Sequence, residues 1–299
     1  MTFISTILLY IILNTCKRKH KMFCCFRPKT ASENTTQIDG IYATYKFRKC
    51  FASGGCSDVW EAKDRRTGKI VAIKKTNNKE DSEYMAKEYA VMRAIDSTHV
   101  VKPVDFFETG KNSFMVMKRY RTTLFDDAKK KLLNSNELRH VAKQIAIGLK
   151  AIHDAGYVHR DIKPDNVLMD DYGTCAIADL GLAEKEDSMT IRRIAGTGSY
   201  IAPEVAEGFI RPDEITIGKP LDIFAFGLTL YACITGYLPT PTAHTTKRVV
   251  RNARRLDMTP FIDELDVNNV LKDFLRRMTD RNPATRATID DVLSHKFLA

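Results

Sequence analysis

Apolar and polar residues follow two rhythms along this chain, and the change between them falls near residue 120. From Tyr45 the apolar residues come in short β-like runs. Val71–Lys74 is a β-branched stretch carrying one lysine, and Val104–Glu108 and Ser113–Lys118 read as two further strands. Between these runs, residues 80–95 predict a helix with Tyr84, Glu88, Val91 and Ile95 on one face. From Glu137 to Asp154 the apolar residues at 138, 141, 145, 149 and 152 keep a helical period that Gly156 ends. A longer apolar run, Ile223–Ile234, follows. The pattern predicts an α+β fold, β-rich first and helical afterwards, and 299 residues leave room for one large domain or two lobes with sizeable cores.

The first 44 residues break this pattern. Residues 3–13 are almost wholly apolar and are followed at once by Lys17, Arg18, Lys19, His20 and Lys21. A bilayer span takes about 20 apolar residues, so the run is short for one. No basic stretch precedes it and no small-residue cleavage site follows it, which argues against a cleaved signal peptide. Two readings stay open. In one, residues 3–25 associate with a membrane, with Cys16, Cys24 and Cys25 beside the basic cluster as acylation sites. In the other, Met22 is the start and the apolar run is irrelevant. Residues 30–44 are polar and turn-rich and read as a linker.

Composition adds two constraints. The formal net charge is +10, and residues 1–44 supply +4 of it from six Lys/Arg against two Asp/Glu. The body is therefore only moderately basic, which favours a solvated surface over a dedicated polyanion site, and no nucleic-acid partner is expected. Seven cysteines without CxxC or Cys/His metal spacing argue against a disulfide framework or zinc site, so a reducing, cytoplasmic compartment is expected.

The candidate chemistry lies in His159-Arg160-Asp161-Ile162-Lys163-Pro164-Asp165-Asn166 and, shortly after it, Asp179-Leu180-Gly181. Two carboxylates, an amide and a lysine this close are what phosphoryl transfer needs, because its transition state is stabilised mainly by positioning and opposite charge. The stretch resembles the catalytic loop of the eukaryotic-type protein kinase family, serine/threonine class, and the resemblance covers about residues 45–299. It implies a two-lobed kinase fold, with a β-rich N-lobe over about 45–119 and a mainly helical C-lobe over about 120–299. It also implies ATP and Mg2+ as cofactors and serine or threonine hydroxyls of proteins as acceptors.

Residue by residue, the resemblance makes Asp161 the base and places Lys163 against the migrating phosphoryl charge. Asn166 and Asp179 become the magnesium ligands. Lys74 is assigned to the α- and β-phosphates with Glu88 as its partner, since an acid on an otherwise apolar face needs one. Ala52, Ser53, Gly54, Gly55, Cys56, Ser57, Asp58 and Val59 occupy the place of the glycine-rich loop, but only the middle glycine of the family's three, Gly54, is kept. A weaker or altered nucleotide grip is expected, and a nucleotide-binding scaffold without catalysis is the alternative reading. Val59, Ala72 and Leu168 would wall the adenine, Met117 takes the gatekeeper position, and Lys118, Arg119 and Tyr120 form the hinge. His159 is expected to pack the loop.

Ala202-Pro203-Glu204 closes the activation segment, and Thr197 is placed to bond Asp161 and Lys163. Because Arg160 precedes Asp161, the chain resembles kinases switched by activation-loop phosphorylation. Ser188 and Thr190 are the candidate acceptors, with Arg192 or Arg193 as further partners of the phosphate. A loop ordered without phosphate is the alternative. Asp222 should anchor the catalytic loop from a buried helix, and Glu204 should pair with Arg286. Arg121-Thr122-Thr123 and Ala232 lack the acids that arginine-directed kinases often carry, and Lys247, Arg248, Arg251, Arg254 and Arg255 read as a basic helix face with no family role.

Overall fold

A computed structural model describes residues 35–109, 111–186, 196–210, 218–239 and 245–299. The apolar run at 3–13, Cys16, Met22, Cys24, Cys25, Ser188, Thr190, Arg192 and Arg193 lie outside these residues. Packing divides the chain into two units, one of residues up to Tyr89 with Pro103–Arg119, the other of Ala90–Lys102 with Tyr120–Ala299. Residues 90–102 group with the second unit.

The first unit is an antiparallel five-stranded sheet ordered β1-β2-β3-β5-β4. Its strands are β1 (Tyr45–Ser53), β2 (Ser57–Asp64), β3 (Ile70–Thr76), β4 (Pro103–Glu108) and β5 (Ser113–Lys118). The two-residue period of β3 sorts its side chains. Val71 and Ile73 join Tyr45, Ala62, Phe114 and Val116 in the core, while Ala72 and Lys74 alternate with them, opposite Met117 and Met115 of β5.

Helix α1 (Thr35–Thr44) replaces the linker expected there. Gly40 and the threonines are poor helix formers, but Ile41 is fully buried against that same core, and tertiary burial outweighs the local preference. Helix α2 (Lys79–Ala94) forms where the sequence places it, with Asp81, Met85, Glu88, Val91 and Met92 buried along it and Ile95 buried just past its end. Tyr84, expected on the covered face, is 58% exposed. It sits on the flank of the buried stripe, whose apolar centre is set by Met85 and Met92, both buried.

The second unit is built on helices. Its first two are α3 (Leu124–Lys130) and α4 (Ser135–Asp154). A capping box starts α4, with the Asn134 side chain accepting from the Glu137 amide and Glu137 accepting from the Asn134 amide. Leu138, Val141, Ile145, Leu149 and Ile152 are all buried, as the period requires. Short strands β6 (Thr122–Thr123), β8 (Val167–Met169) and β9 (Cys175–Ile177) make one small sheet, and β7 (Tyr157–Val158) with β10 (Glu184–Lys185) another. Then come α5 (Pro203–Ile210), α6 (Pro220–Thr235), α7 (Thr246–Arg255), α8 (Thr259–Asp263), α9 (Asn269–Met278) and α10 (Ile289–Ser294). Buried on nearly every side, α6 is the central post of this unit.

Arg286 donates to both Glu204 oxygens at 2.6 and 2.9 Å and lies over the Phe224 ring. Cys175 and Cys233 are buried free thiols, each pushed up to about 12 by burial, and so are poor nucleophiles. Among the described residues no helix is long and apolar enough to cross a membrane.

Candidate active site

In the first unit, the pleat of β3 presents Lys74 toward Glu88 of α2. Lys74 Nζ donates to Glu88 Oε2 at 2.8 Å and to Oε1 at 3.0 Å. Both side chains are largely withdrawn from water, so the pair fixes the lysine's reach. The β1–β2 turn is closed by a bond from Gly54 N to Ser57 O (2.9 Å), and Ser53 Oγ donates to Asp58 Oδ1 (2.5 Å). Asn77 ties the turn down, its amide N donating to Cys56 O and its Nδ2 to Gly54 O. Ala52 and Gly55 are exposed, while Cys56, Ser57, Asp58 and Val59 are half-buried. Register shifts in β1 between Phe47 and Ala52 sharpen the twist that leads into the turn. Ala72 and Met117 are buried opposite each other across β3 and β5.

In the second unit, Asp161 is the hub. Its Oδ1 accepts from Thr197 N and Thr197 Oγ1, both at 2.8 Å. Its Oδ2 accepts from Lys163 Nζ at 2.7 Å and Asn166 Nδ2 at 2.9 Å. Lys163 Nζ also donates to Thr197 Oγ1 at 2.6 Å, closing a triangle of carboxylate, ammonium and hydroxyl. Asn166 Nδ2 donates a second bond to Asp161 O, which leaves its Oδ1 as an acceptor. Asn166 and Asp179 emerge from the same end of the β8–β9 hairpin, where Val167 pairs Ile177 and Ala178 N donates to Asn166 O. Asp179 is exposed and holds a left-handed backbone (φ 63).

The loop carrying Asp161 is held from beneath. Asp222 Oδ2 accepts from His159 N (2.8 Å) and His153 Nε2 (2.9 Å), and its Oδ1 accepts from Arg160 N (2.8 Å). Burial alone would raise the Asp222 carboxyl, but these donors outweigh it and hold the group below the usual carboxylate range. His159 is fully buried. Its Nδ1 accepts from Asp161 N (3.2 Å), so its Nε2 carries the proton and donates to Ala178 O (3.1 Å). That bonding is structural, linking the loop to the strand end that bears Asp179.

Two contributors, Glu184 and Asn77, were not legible as site residues in the sequence, and a third, Gly196, was legible only as part of the Gly196-Thr197-Gly198-Ser199-Tyr200 run, which resembles the family's floor for the acceptor residue. Glu184 of β10 ion-pairs with Arg160, the arginine expected to await a phosphate. Gly196 (φ 90) lies against the catalytic loop so closely that a Cβ there would sit 2.4 Å from Arg160 O. Asn77 secures the β1–β2 turn. Of these only Gly196 left a signal, a glycine in a Gly-Thr-Gly run where the chain must turn tightly. Tyr120 is buried, with its hydroxyl pushed up to about 12 by that burial, and Leu168 is half-buried in β8 opposite Ala176.

Asn166 Oδ1 and the Asp179 carboxylate are hard oxygen donors of the kind magnesium takes, and two protein ligands suit an ion that keeps waters and binds phosphates. Among the described residues no cluster of three or more His, Cys, Asp or Glu offers an all-protein metal cage.

The comparisons with known proteins agree with this geometry. The chain is 27% identical over 265 residues to sperm motility kinase 3A of Mus musculus, covering 87% of this chain and 51% of that one. It thus spans about half the length of that relative. It is also 27% identical over 277 residues to calcium/calmodulin-dependent protein kinase type 1B of Rattus norvegicus, covering 88% and 77%. A solved structure of Rad53 1–466 in complex with AMP-PNP matches with a TM-score of 0.70 at 26% identity, covering 86% of this chain and 66% of that one. The protein kinase domain model matches residues 45–298, a span that takes in Lys74, Asp161 and Asp179 alike, and so the chain belongs to the protein kinase family.

Proposed function

We propose that this chain is an active protein kinase that transfers the ATP γ-phosphoryl group to serine or threonine hydroxyls in a magnesium-dependent reaction. The observation that carries the reading is the closed set of bonds on Asp161, which aims a carboxylate, an ammonium and a hydroxyl at one point. An acceptor hydroxyl entering there displaces Thr197 Oγ1 and hands its hydrogen bond to Asp161. As its oxygen bonds phosphorus and the β–γ bridging bond breaks, the proton passes to the carboxylate, and ADP departs. Lys163 faces the charge that moves between the two.

Asn166 and Asp179 would hold magnesium, whose charge offsets that of the phosphates. Lys74, steadied by Glu88, would grip the α- and β-phosphates. The altered glycine loop favours the alternative, a nucleotide-binding scaffold. Against it, the turn is closed and tethered by Asn77, and none of the polar side chains that the chemistry requires is missing. A reducing intracellular compartment, with residues 3–25 as the membrane-associating segment, remains part of this proposal.

The test uses the full chain, labelled ATP with and without magnesium, and a degenerate set of serine, threonine and tyrosine peptides, beside Asp161→Asn. Metal-dependent label on serine and threonine, falling by about 10²–10⁴-fold in the variant, is the expected result. Nucleotide binding with no transfer above the variant would leave only the scaffold.

A further inference from the structure

We infer that α7 is a docking face for acidic residues flanking the phosphoacceptor of the substrate. The inference rests on the reading above that this chain phosphorylates proteins. It begins with the helix itself. Val249, Val250 and Ala253 take one side of α7, where they pack on Ile201, Val205 and Ala206 of the α5 region. At 100° per residue, Lys247, Arg248, Arg251, Arg254 and Arg255 fall together on the opposite arc, and all five are exposed. The helix contains no acid.

Helix physics does not explain this face. Lys247 and Arg248 stand in the first turn, where the backbone dipole disfavours cations. The i, i+3 and i, i+4 neighbours repel one another instead of pairing. Among the described residues, Glu207 engages Arg254 at 2.5 Å, and no ion pair reaches Lys247, Arg248, Arg251 or Arg255. Such a face gains by meeting negative charge from outside the chain.

Its position says which negative charge. A Cβ on Gly198 would lie 3.0 Å from Val249 Cγ2, so α7 packs directly under the Gly198–Tyr200 turn. The residue before that turn is Thr197, bonded to Asp161. The helix that bears the basic face therefore stands beside the site where an acceptor hydroxyl is received, with Val249 against the turn and the basic arc on the helix's open side. Ten helical residues span about 15 Å, and an extended peptide advances about 3.3 Å per residue, so the reach is about five residues from the acceptor. No acid in Arg121-Thr122-Thr123 offers a competing site for basic peptides, and Asp127 nearby is already held by Arg121.

The experiment compares two peptides of equal composition with one serine or threonine. One carries an acidic cluster within five residues of the acceptor, and the other carries it ten or more residues away. The full chain should favour the first by about five- to tenfold in kcat/KM, the scale of two exposed charge pairs, and the preference should shrink as salt rises to about 0.5 M. Arg248→Glu/Arg251→Glu should abolish or invert the ratio, and Arg248→Gln/Arg251→Gln should reduce it. The glutamine pair keeps the question answerable if the reversal impairs folding. Equal rates on both peptides by the unaltered chain, or a ratio untouched by the glutamine pair, overturn the inference while leaving the kinase reading intact. Transfer to neither peptide would instead count against the kinase reading.

Discussion

Replacing Gly196 with alanine should damage catalysis well beyond its effect on the fold. Gly196 has φ 90, and the added Cβ would lie 2.4 Å from Arg160 O and 3.4 Å from Asp161 Oδ1. Real Cβ atoms come no closer than about 3.0 Å, so something must move by about 0.6 Å. Arg160 is poorly placed to yield, because Asp222 pins the amides of His159 and Arg160 at 2.8 Å each. The strain therefore falls on residues 196–197, and with them on the two bonds from Thr197 to Asp161 Oδ1. A left-handed alanine costs about 1–2 kcal/mol, and weakening one charge-assisted bond about 1.5 kcal/mol more. We expect a loss of about 3 kcal/mol of stability, a Tm lower by about 6–12 °C, and kcat/KM lower by about 10²-fold.

Gly173→Ala is the control, since Gly173 has φ 78 but nothing within 4 Å of its added Cβ. It should show the backbone cost in a thermal melt and keep its peptide kinetics. If Gly196→Ala phosphorylates peptide within twofold of the unaltered chain, or if both variants lose activity in proportion to stability, the close-approach argument is wrong.

Two further outcomes follow from the catalytic loop. Asp222 is held below the ordinary carboxylate value of about 3.9, so its ionised form stabilises the fold above that pH, and the contribution fades as pH falls through its lower folded-state value. Asp222→Asn should cost about 3 kcal/mol at pH 7, leaving His159 N, Arg160 N and His153 without a charged acceptor, and should flatten the acid limb of a Tm-against-pH curve below about pH 4. An unchanged acid limb would show that Asp222 is not the group titrating there. Because Glu184 already neutralises Arg160, Ser188→Ala/Thr190→Ala should keep activity within about twofold, and phosphatase treatment should change little. Glu184→Ala should lower the activity of unphosphorylated protein; loss of activity in the Ser188/Thr190 variant would restore the phosphate switch.

The residues that make bonds over short sequence distances were the readable ones. Asp161, Lys163 and Asn166 meet within one loop, and the helix of α4 follows from its period and the glycine that ends it. Lys74 with Glu88 was readable because a strand lysine and a buried acid, each costly alone, solve one another. Tertiary choices were not readable. Tyr84 lies on the right side of α2 by simple spacing, yet the buried stripe settles on Met85 and Met92. Glu184 sits in a two-residue strand, where no period exists to announce it, and its meeting with Arg160 depends on the pairing of β10 with β7. The polar composition of residues 35–44 concealed one isoleucine that decides their structure.

That isoleucine has a wider consequence. Ile41 fills the sheet core from a helix lying upstream of the span that the family model matches, and Tyr42 adds its ring against Phe47 and Phe114. Trimming the polypeptide at Tyr45 would uncap a hydrophobic hole and invite aggregation. It also means that residues 41 and 42 belong to the same packed unit as the strand that carries Lys74, so the working boundary of the domain lies upstream of the span that the family model matches.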